Sequence, residues 1–293
     1  MNALTRQQYS FVLQCLCEGN SVASTTRITG TAKNTILSLL ERAGVACAEF
    51  MDANHVNLPC QYIELDEIWS FVGHKGKGTT NGDKLQHDPQ DGDVWTWKCV
   101  CADTKLIVSH HVGGRTSDNA NAFCRNFAHR FTDIPQISTD GLSSYALAIG
   151  FAFGSQDVDY GKVVKHYKSI GKGFEIFTGA TRKRMFGEPD MSRVSTSFVE
   201  RSNLTLRMQN RRFARRTNAH SKILDNHRYM LALGFMHYNY CRKHMTLKKT
   251  PAMAAGVSDH IWTIGEIVDV MQAREERIRA AEFEEAFAML ETA

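Results

Sequence analysis

The fold is decided by Tyr62-Ile-Glu-Leu-Asp-Glu-Ile-Trp-Ser-Phe-Val72. The run is rich in β-branched and aromatic residues and alternates in polarity, so it reads as a strand with Leu65 on one face and Asp66 on the other. A long polar loop over 73–93 separates it from a second strand, Asp93 to Ala102. Asp103-Thr104-Lys105 turns the chain into a third strand, Leu106 to Val112. Following one another in sequence with no helix between them, these three read as an antiparallel meander. Ser117 is placed to cap a helix reaching Phe131, with Ala120, Phe123, Phe127 and Phe131 at helical spacing. A fourth strand, Ile134 to Asp140, ends at Gly141. A strand–helix–strand step of this length adds in parallel to the same sheet.

On the N-terminal side, Thr5 caps a helix through Cys17, Ser21 caps a short helix over Val22–Ile28, and Gly30 turns the chain. Thr31 is expected to cap a third helix, Ala32 to about Ala43. Helix, short helix, glycine turn and helix is the helix-turn-helix pattern, whose last helix enters the major groove by its first residues. Here those include Lys33 and Asn34, placed to reach phosphates or base edges; the alternative is a three-helix knob that binds nothing. The expected boundaries are a helix-turn-helix domain at 1–46, a linker at 47–60, a sheet domain at 61–217 and a C-terminal helical region at 218–293. Past the fourth strand, Ser143 to Phe151 reads as helix, and 152–192 as an irregular insertion with a short strand at Lys162–Tyr167. One long helix is expected from Ser195 through Arg216 and another from Ser221 to His244. A short helix near Ile264–Met271 then leads into a charged one, Arg274 to Leu290.

Of the 293 residues, 43% are hydrophobic and 23% charged, which excludes a disordered chain. No run approaches the ~18 apolar residues of a membrane helix, and the first residues lack a signal pattern, so neither membrane nor export is expected. The eight cysteines form no CxxC pair, so no zinc module is expected and buried thiols in a reducing cytosol fit best. The formal charge of +4 is a sum of opposites. Residues 193–250 carry 13 Lys and Arg against two acids, a net of +11, whereas 264–293 carry three Arg against eight acids, a net of −5. The basic segment is the footprint of a polyanion site, or else a solvated helix face.

Three acids stand out by position. Asp66 lies inside the first strand, Asp140 ends the fourth, and Glu200 is one of two acids among the 13 cations. Taken singly, each reads as a turn former or ion-pair partner. Together, strand ends converging beside a helix gather carboxylates that repel one another unless cations bind them, and oxygen donors suit Mg²⁺. Two such ions ~4 Å apart activate an attacking oxygen and stabilise the leaving oxygen of a phosphodiester. Glu67 is expected on the opposite strand face, outside this site. The order β, β, β, helix, β, helix is the ribonuclease H-like plan. The expected fold class is therefore α/β: a ribonuclease H-like catalytic domain with a mixed five-stranded sheet, preceded by the all-α helix-turn-helix domain.

The chain resembles the DDE transposases of bacterial insertion sequences, specifically the insertion-sequence-1 family, over nearly its full length. The resemblance is carried by Leu65-Asp66-Glu67-Ile68-Trp69-Ser70-Phe71-Val72, Val112-Gly113-Gly114-Arg115-Thr116 and Ser138-Thr139-Asp140-Gly141. Its most specific stretch is Ser195-Thr-Ser-Phe-Val-Glu200-Arg-Ser-Asn203-Leu-Thr-Leu-Arg207, with Tyr238-Asn239-Tyr240-Cys241-Arg242 and Thr250-Pro251-Ala252 beyond. It implies a catalytic and metal-binding triad of Asp66, Asp140 and Glu200, holding two Mg²⁺ ions for which Mn²⁺ substitutes. It also implies terminal inverted repeats and target double-stranded DNA as partners, at least a dimer on DNA, and a cytoplasmic, nucleoid-associated enzyme. Such an enzyme cleaves the element's ends and joins their 3′-hydroxyls to target DNA. On a helix, Glu200, Asn203 and Arg207 share a face, so Arg207 would hold a phosphate near the cut and Asn203 would contact DNA or orient Glu200. Arg211, Arg212, Arg215 and Arg216 would extend the helix as a phosphate track. The rivals are a domesticated DNA-binding regulator without catalysis and a ribonuclease H-like nuclease without strand transfer. All three triad acids argue against the first, and the N-terminal reader against the second.

Overall fold

The computed structural model describes residues 4–75, 92–171, 174–214 and 218–291. Three helices open the chain: α1 (Arg6–Cys17), α2 (Val22–Thr29) and α3 (Lys33–Asn54). Thr5 and Gln8 form a reciprocal capping box on α1, and Ser21 accepts the Ser24 N–H to cap α2. Gly30 ends α2 at φ 70, a left-handed conformation that glycine adopts without steric cost. The N-cap of α3 is Ala32 rather than Thr31, and it makes no side-chain cap bond. The linker expected at 47–60 is helical for most of its length. α3 runs on to Asn54 because Cys47 and Met51 continue its buried stripe.

The sheet is mixed and six-stranded, in the order β3-β2-β1-β4-β5-β6. Its strands are β1 (Tyr62–Val72), β2 (Gly92–Cys101), β3 (Ile107–Gly113), β4 (Gln136–Thr139), β5 (Tyr160–Gly171) and β6 (Phe174–Phe186). The first three form the expected antiparallel meander, and β4 adds in parallel to β1 after the crossover through α4 (Ser117–Ala128), which Thr116 caps. After α5 (Ser144–Phe153), β5 adds in parallel to β4. The expected five strands become six because 152–192 is largely a long antiparallel hairpin, in which β5 pairs with β6 from Tyr160↔Phe186 to Gly171↔Phe174.

α6 (Ser197–Gln209) crosses the sheet over β1 and β2. It stops well short of Arg216, where Asn210 turns extended and caps a 3₁₀ turn over Arg211–Phe213. α7 (Leu224–Met236) runs into a π turn over His237–Cys241, and α8 (Pro251–Ala254) follows. The break expected between the last two helices is absent, since α9 is continuous from Ile264 to Glu291. Its first half packs on α1 and α3 through Arg6–Asp269, Arg42–Glu275 and Arg274–Glu49 pairs. α3 lies against α7 where Gly44 lets the two backbones approach: a Cβ there would sit 2.5 Å from Cα of Tyr229. One apolar cluster runs from α1 and α3 through the sheet to α7 and α9. Among the described residues, no helix is long and apolar enough to cross a membrane.

Candidate active site

β1 delivers three acids within four positions, and its period-2 alternation sends Glu64 and Asp66 to the α6 side and Glu67 to the other. Glu64, 2% exposed, accepts the N–H groups of Phe198 at 2.7 Å and Val199 at 2.9 Å. These belong to the first turn of α6, where N–H groups have no intrahelical acceptor. The carboxylate thus pins the start of that helix to the sheet. One turn on, Asn203 Nδ2 donates to Asp66 Oδ2 at 2.6 Å. Lys98 on β2 is paired with Asp66 in the strand register and is fully buried. Its ammonium donates to Ser202 Oγ at 2.8 Å.

On the opposite face, Glu67 is held by Arg115 Nε at 2.8 Å and by the Tyr145 hydroxyl at 3.0 Å. Glu67 was expected outside the acid site, and the structure corrects this. One carboxylate oxygen each from Asp66, Glu67 and Asp140 lie within 4.8 Å of one another. The cause is the end of β4: the ladder stops at Leu65↔Thr139. Asp140 therefore leaves the strand at an open edge, within reach of acids from both faces of β1. Asp140 also accepts the Leu142 N–H at 3.0 Å, so its role as a turn former is real as well.

Glu200 sits on α6 beside this trio rather than within it. Its Oε1 accepts from Lys165 of β5 at 2.7 Å and from the Thr196 hydroxyl. Its charge still bears on the trio, as one of the groups that raise Asp66.

The electrostatics follow from burial. Desolvation, then the charges of Asp140 and Glu200, push the Asp66 carboxyl up to about 6 against the pull of Lys98. Burial, then Asp140 and Asp66, push Glu67 up to about 7 despite Arg115 and Tyr145. Burial pushes Glu64 up to about 7, and the two α6 N–H groups oppose it. Burial lowers the Lys98 ammonium to about 7, with Asp66 pulling it up and Arg207 pushing it down. A crowded set of oxygen donors with no His or Cys, costly to ionise together, fits a hard divalent cation such as Mg²⁺ or Mn²⁺.

Lys33 and Asn34 are exposed at the first turn of α3. Lys33, Arg211 and Arg212 line one cavity of about 610 Å³ between α2, α3 and the segment after α6. Asn203 is not on the surface expected to meet DNA or turned to Glu200; it is buried against Asp66. Arg207 lies inward, close enough to Lys98 to lower its pKa. Arg211 is exposed but lies beyond the end of α6, so it does not continue a helical track. Arg212 is turned into the protein, its Nε donating to Ser221 Oγ at 3.0 Å, and burial lowers its guanidinium to about 10. Arg215 and Arg216 lie outside the described residues.

Sequence reasoning missed Glu64, Lys98 and Lys165. Glu64 shares the strand face of Asp66 two positions earlier, and Lys98 is the lone cation in the apolar run Val94–Val100; both signals were present. No protein-family model matches this chain, and no curated protein matches it.

Proposed function

We propose that this protein is a DNA transposase of the DDE type, akin to the insertion-sequence-1 family, which cleaves the ends of its element and joins their 3′-hydroxyls to target DNA. The observation that carries the reading is the gathering of Asp66, Glu67 and Asp140 at one strand end, with Glu200 beside them on α6. The strand order, with an antiparallel β1-β2-β3 meander and β4 and β5 parallel to β1, supports a ribonuclease H-like catalytic domain. The exposed start of α3 after the Gly30 turn supports a helix-turn-helix reader ahead of it.

On this reading Asp66, Glu67, Asp140 and Glu200 hold two Mg²⁺ or Mn²⁺ ions. When bound, the ions supply Lewis-acid activation of the attacking oxygen and charge stabilisation of the leaving oxygen in phosphodiester transfer. The protein's own groups position the donors. Asn203 fixes the rotamer of Asp66 by holding its Oδ2. Glu64 anchors the first turn of α6, which sets where Glu200 stands. Lys98 offsets part of the cluster's negative charge from beneath, and Lys165 compensates Glu200 from β5. Lys33, Asn34 and Arg211 supply exposed contacts for the DNA backbone or bases. A homo-oligomer of at least two chains follows from the need to cut two ends.

The test uses labelled duplexes spanning the sequences that flank the protein's own reading frame, with Mg²⁺ and a supercoiled target plasmid. Strand-joined product is expected with the wild type and not with Asp66→Asn, Asp140→Asn or Glu200→Gln. Nicking without joining would replace the transposase by a nuclease, and joining by Glu200→Gln would remove Glu200 from the chemistry.

A further inference from the structure

The β5–β6 hairpin is larger than the sheet needs. From Lys165 to Gly171 every residue of β5 is exposed, and so are nearly all described residues of β6 from Phe174 to Arg184. The ribbon carries Lys162, Lys165, Lys168, Arg182, Lys183 and Arg184 against a single acid, Glu175. Lys165 pairs with Glu200 and Arg184 with Glu188, while no carboxylate among the described residues pairs with Lys168, Arg182 or Lys183. An exposed ribbon with unpaired strand edges and large apolar groups is an aggregation hazard unless it has a partner.

The two faces differ. Lys165 and Arg182 open onto the same cavity of about 590 Å³ as Thr196 and Glu200, so one ribbon face continues the acid site. Outward along that face, period-2 alternation brings Tyr167 after Lys165. A register shift between His166 and Tyr167 then sets Phe177 directly opposite Tyr167. Their rings meet edge-on with centroids 5.9 Å apart, yet Tyr167 remains 54% and Phe177 56% exposed. Cations nearest the carboxylates followed by an open aromatic pair are the two elements of a single-strand track: charge for phosphates and rings for bases.

We infer that the Glu200-side face of the β5–β6 ribbon binds an unpaired stretch of DNA strand beside the scissile phosphate. Arg182 and Lys165 take phosphates there, and Tyr167 and Phe177 stack on bases. This rests on the proposed action on DNA and adds to it a preference for locally unpaired strand next to the cut. A second copy of this chain is the competing occupant. The ribbon's excess of cations over acids would repel an identical ribbon and complements a polyanion instead.

The test measures binding of a fluorescein-labelled 15-nucleotide single strand, and of the same sequence as a full duplex, to full-length Asp66→Asn protein without divalent cations. Tyr167→Ala combined with Phe177→Ala is expected to weaken single-strand binding about tenfold or more per lost stack, with little change for the duplex. Tyr167→Phe should restore most of the loss at that position. Arg182→Gln should reduce the salt slope on the single strand by about 0.7. Circular dichroism and thermal melting establish that each variant is folded. Equal affinity and slope in folded variants overturn the inference, as does a change from dimer to monomer in sedimentation with binding per chain unaltered. If wild type nicks element ends and the ribbon variants bind and nick like it, the ribbon inference alone fails. If the ribbon variants lose single-strand binding while wild type neither nicks nor joins, the transposase reading fails and the ribbon inference stands.

Discussion

His227 on α7 offers a direct measurement of how tightly the C-terminal helices close over the sheet. Its ring lies between Ser70 Oγ of β1 at 3.3 Å and Ser221 Oγ at 3.1 Å, with the Phe213 ring 5.2 Å away. Burial, reinforced by the cations Arg212 and Arg228, drives its pKa from the ordinary 6.5 down to about 3. The folded protein therefore keeps this imidazole neutral where the unfolded chain protonates it. Stability from this group is fully present above 6.5 and is lost as pH falls toward 3. At about pH 4.5 the unfolded form gains about 3 kcal/mol from protonation that the folded form cannot share. Other groups titrate too, and the raised carboxyls of the acid site act in the opposite sense. The perturbation is therefore His227→Gln, which keeps a hydrogen-bonding group and removes the titration. Urea unfolding of both proteins by tryptophan fluorescence, from about pH 7.5 to 4.5, gives the difference in stability at each pH. Wild type should lose about 3 kcal/mol relative to the variant across that range. A difference that stays constant, or one that grows in favour of wild type as pH falls, would refute the buried neutral imidazole.

Three further outcomes follow from particular contacts. Glu64→Ala strands two N–H groups at the start of α6 and should cost about 2 to 4 kcal/mol in urea unfolding, with Glu64→Gln milder. Gly44→Ala drives a methyl into the Tyr229 backbone and should cost about 1 to 3 kcal/mol or more, read as a lowered thermal midpoint; an unchanged midpoint would mean that α3 and α7 are not in contact as described. Saturating Mg²⁺ or Mn²⁺ at neutral pH should raise the wild-type midpoint, by about 3 kcal/mol at a hundredfold excess over Kd. The same ions should leave Asp66→Asn and Asp140→Asn unmoved, and an equal rise in either variant would place the ions elsewhere.

What the sequence could tell followed from how local each determinant is. The meander, the parallel return through α4 and the caps at Thr5 and Ser21 rest on period, turn residues and side-chain–backbone bonds within a few positions, and each was legible. The hairpin was not, because Gly, Lys and Thr scattered through 160–186 mask its alternation and its exposed faces present no buried stripe to read. The end of α6 was misplaced because Arg211, Arg212, Arg215 and Arg216 favour helix by propensity, whereas Asn210 prefers to cap the next turn with its own side chain. At the acid site, Asp66, Asp140 and Glu200 were singled out by position; the first two converge, and Glu200 stands beside them. Glu67 was set aside by a face argument that holds within a strand and fails at a strand edge. The Asn203–Asp66 bond joins residues far apart in the chain, and no local pattern encodes it.

The continuous α3 carries a consequence for DNA geometry. Its 22 residues span about 33 Å. One end offers Lys33 and Asn34 to solvent. Just past the other, buried His55 donates to the Val108 carbonyl of β3 at 3.2 Å and accepts from the Tyr240 hydroxyl at 3.1 Å. With Gly44 locked on α7 along the way, the rod has no joint. On the proposed reading it is a ruler: the separation between the bases recognised and the bond cut is set by protein, not by a tether. Inserting a few base pairs between them rotates the cut site around the duplex, away from Glu200, and a full helical turn carries it out of reach.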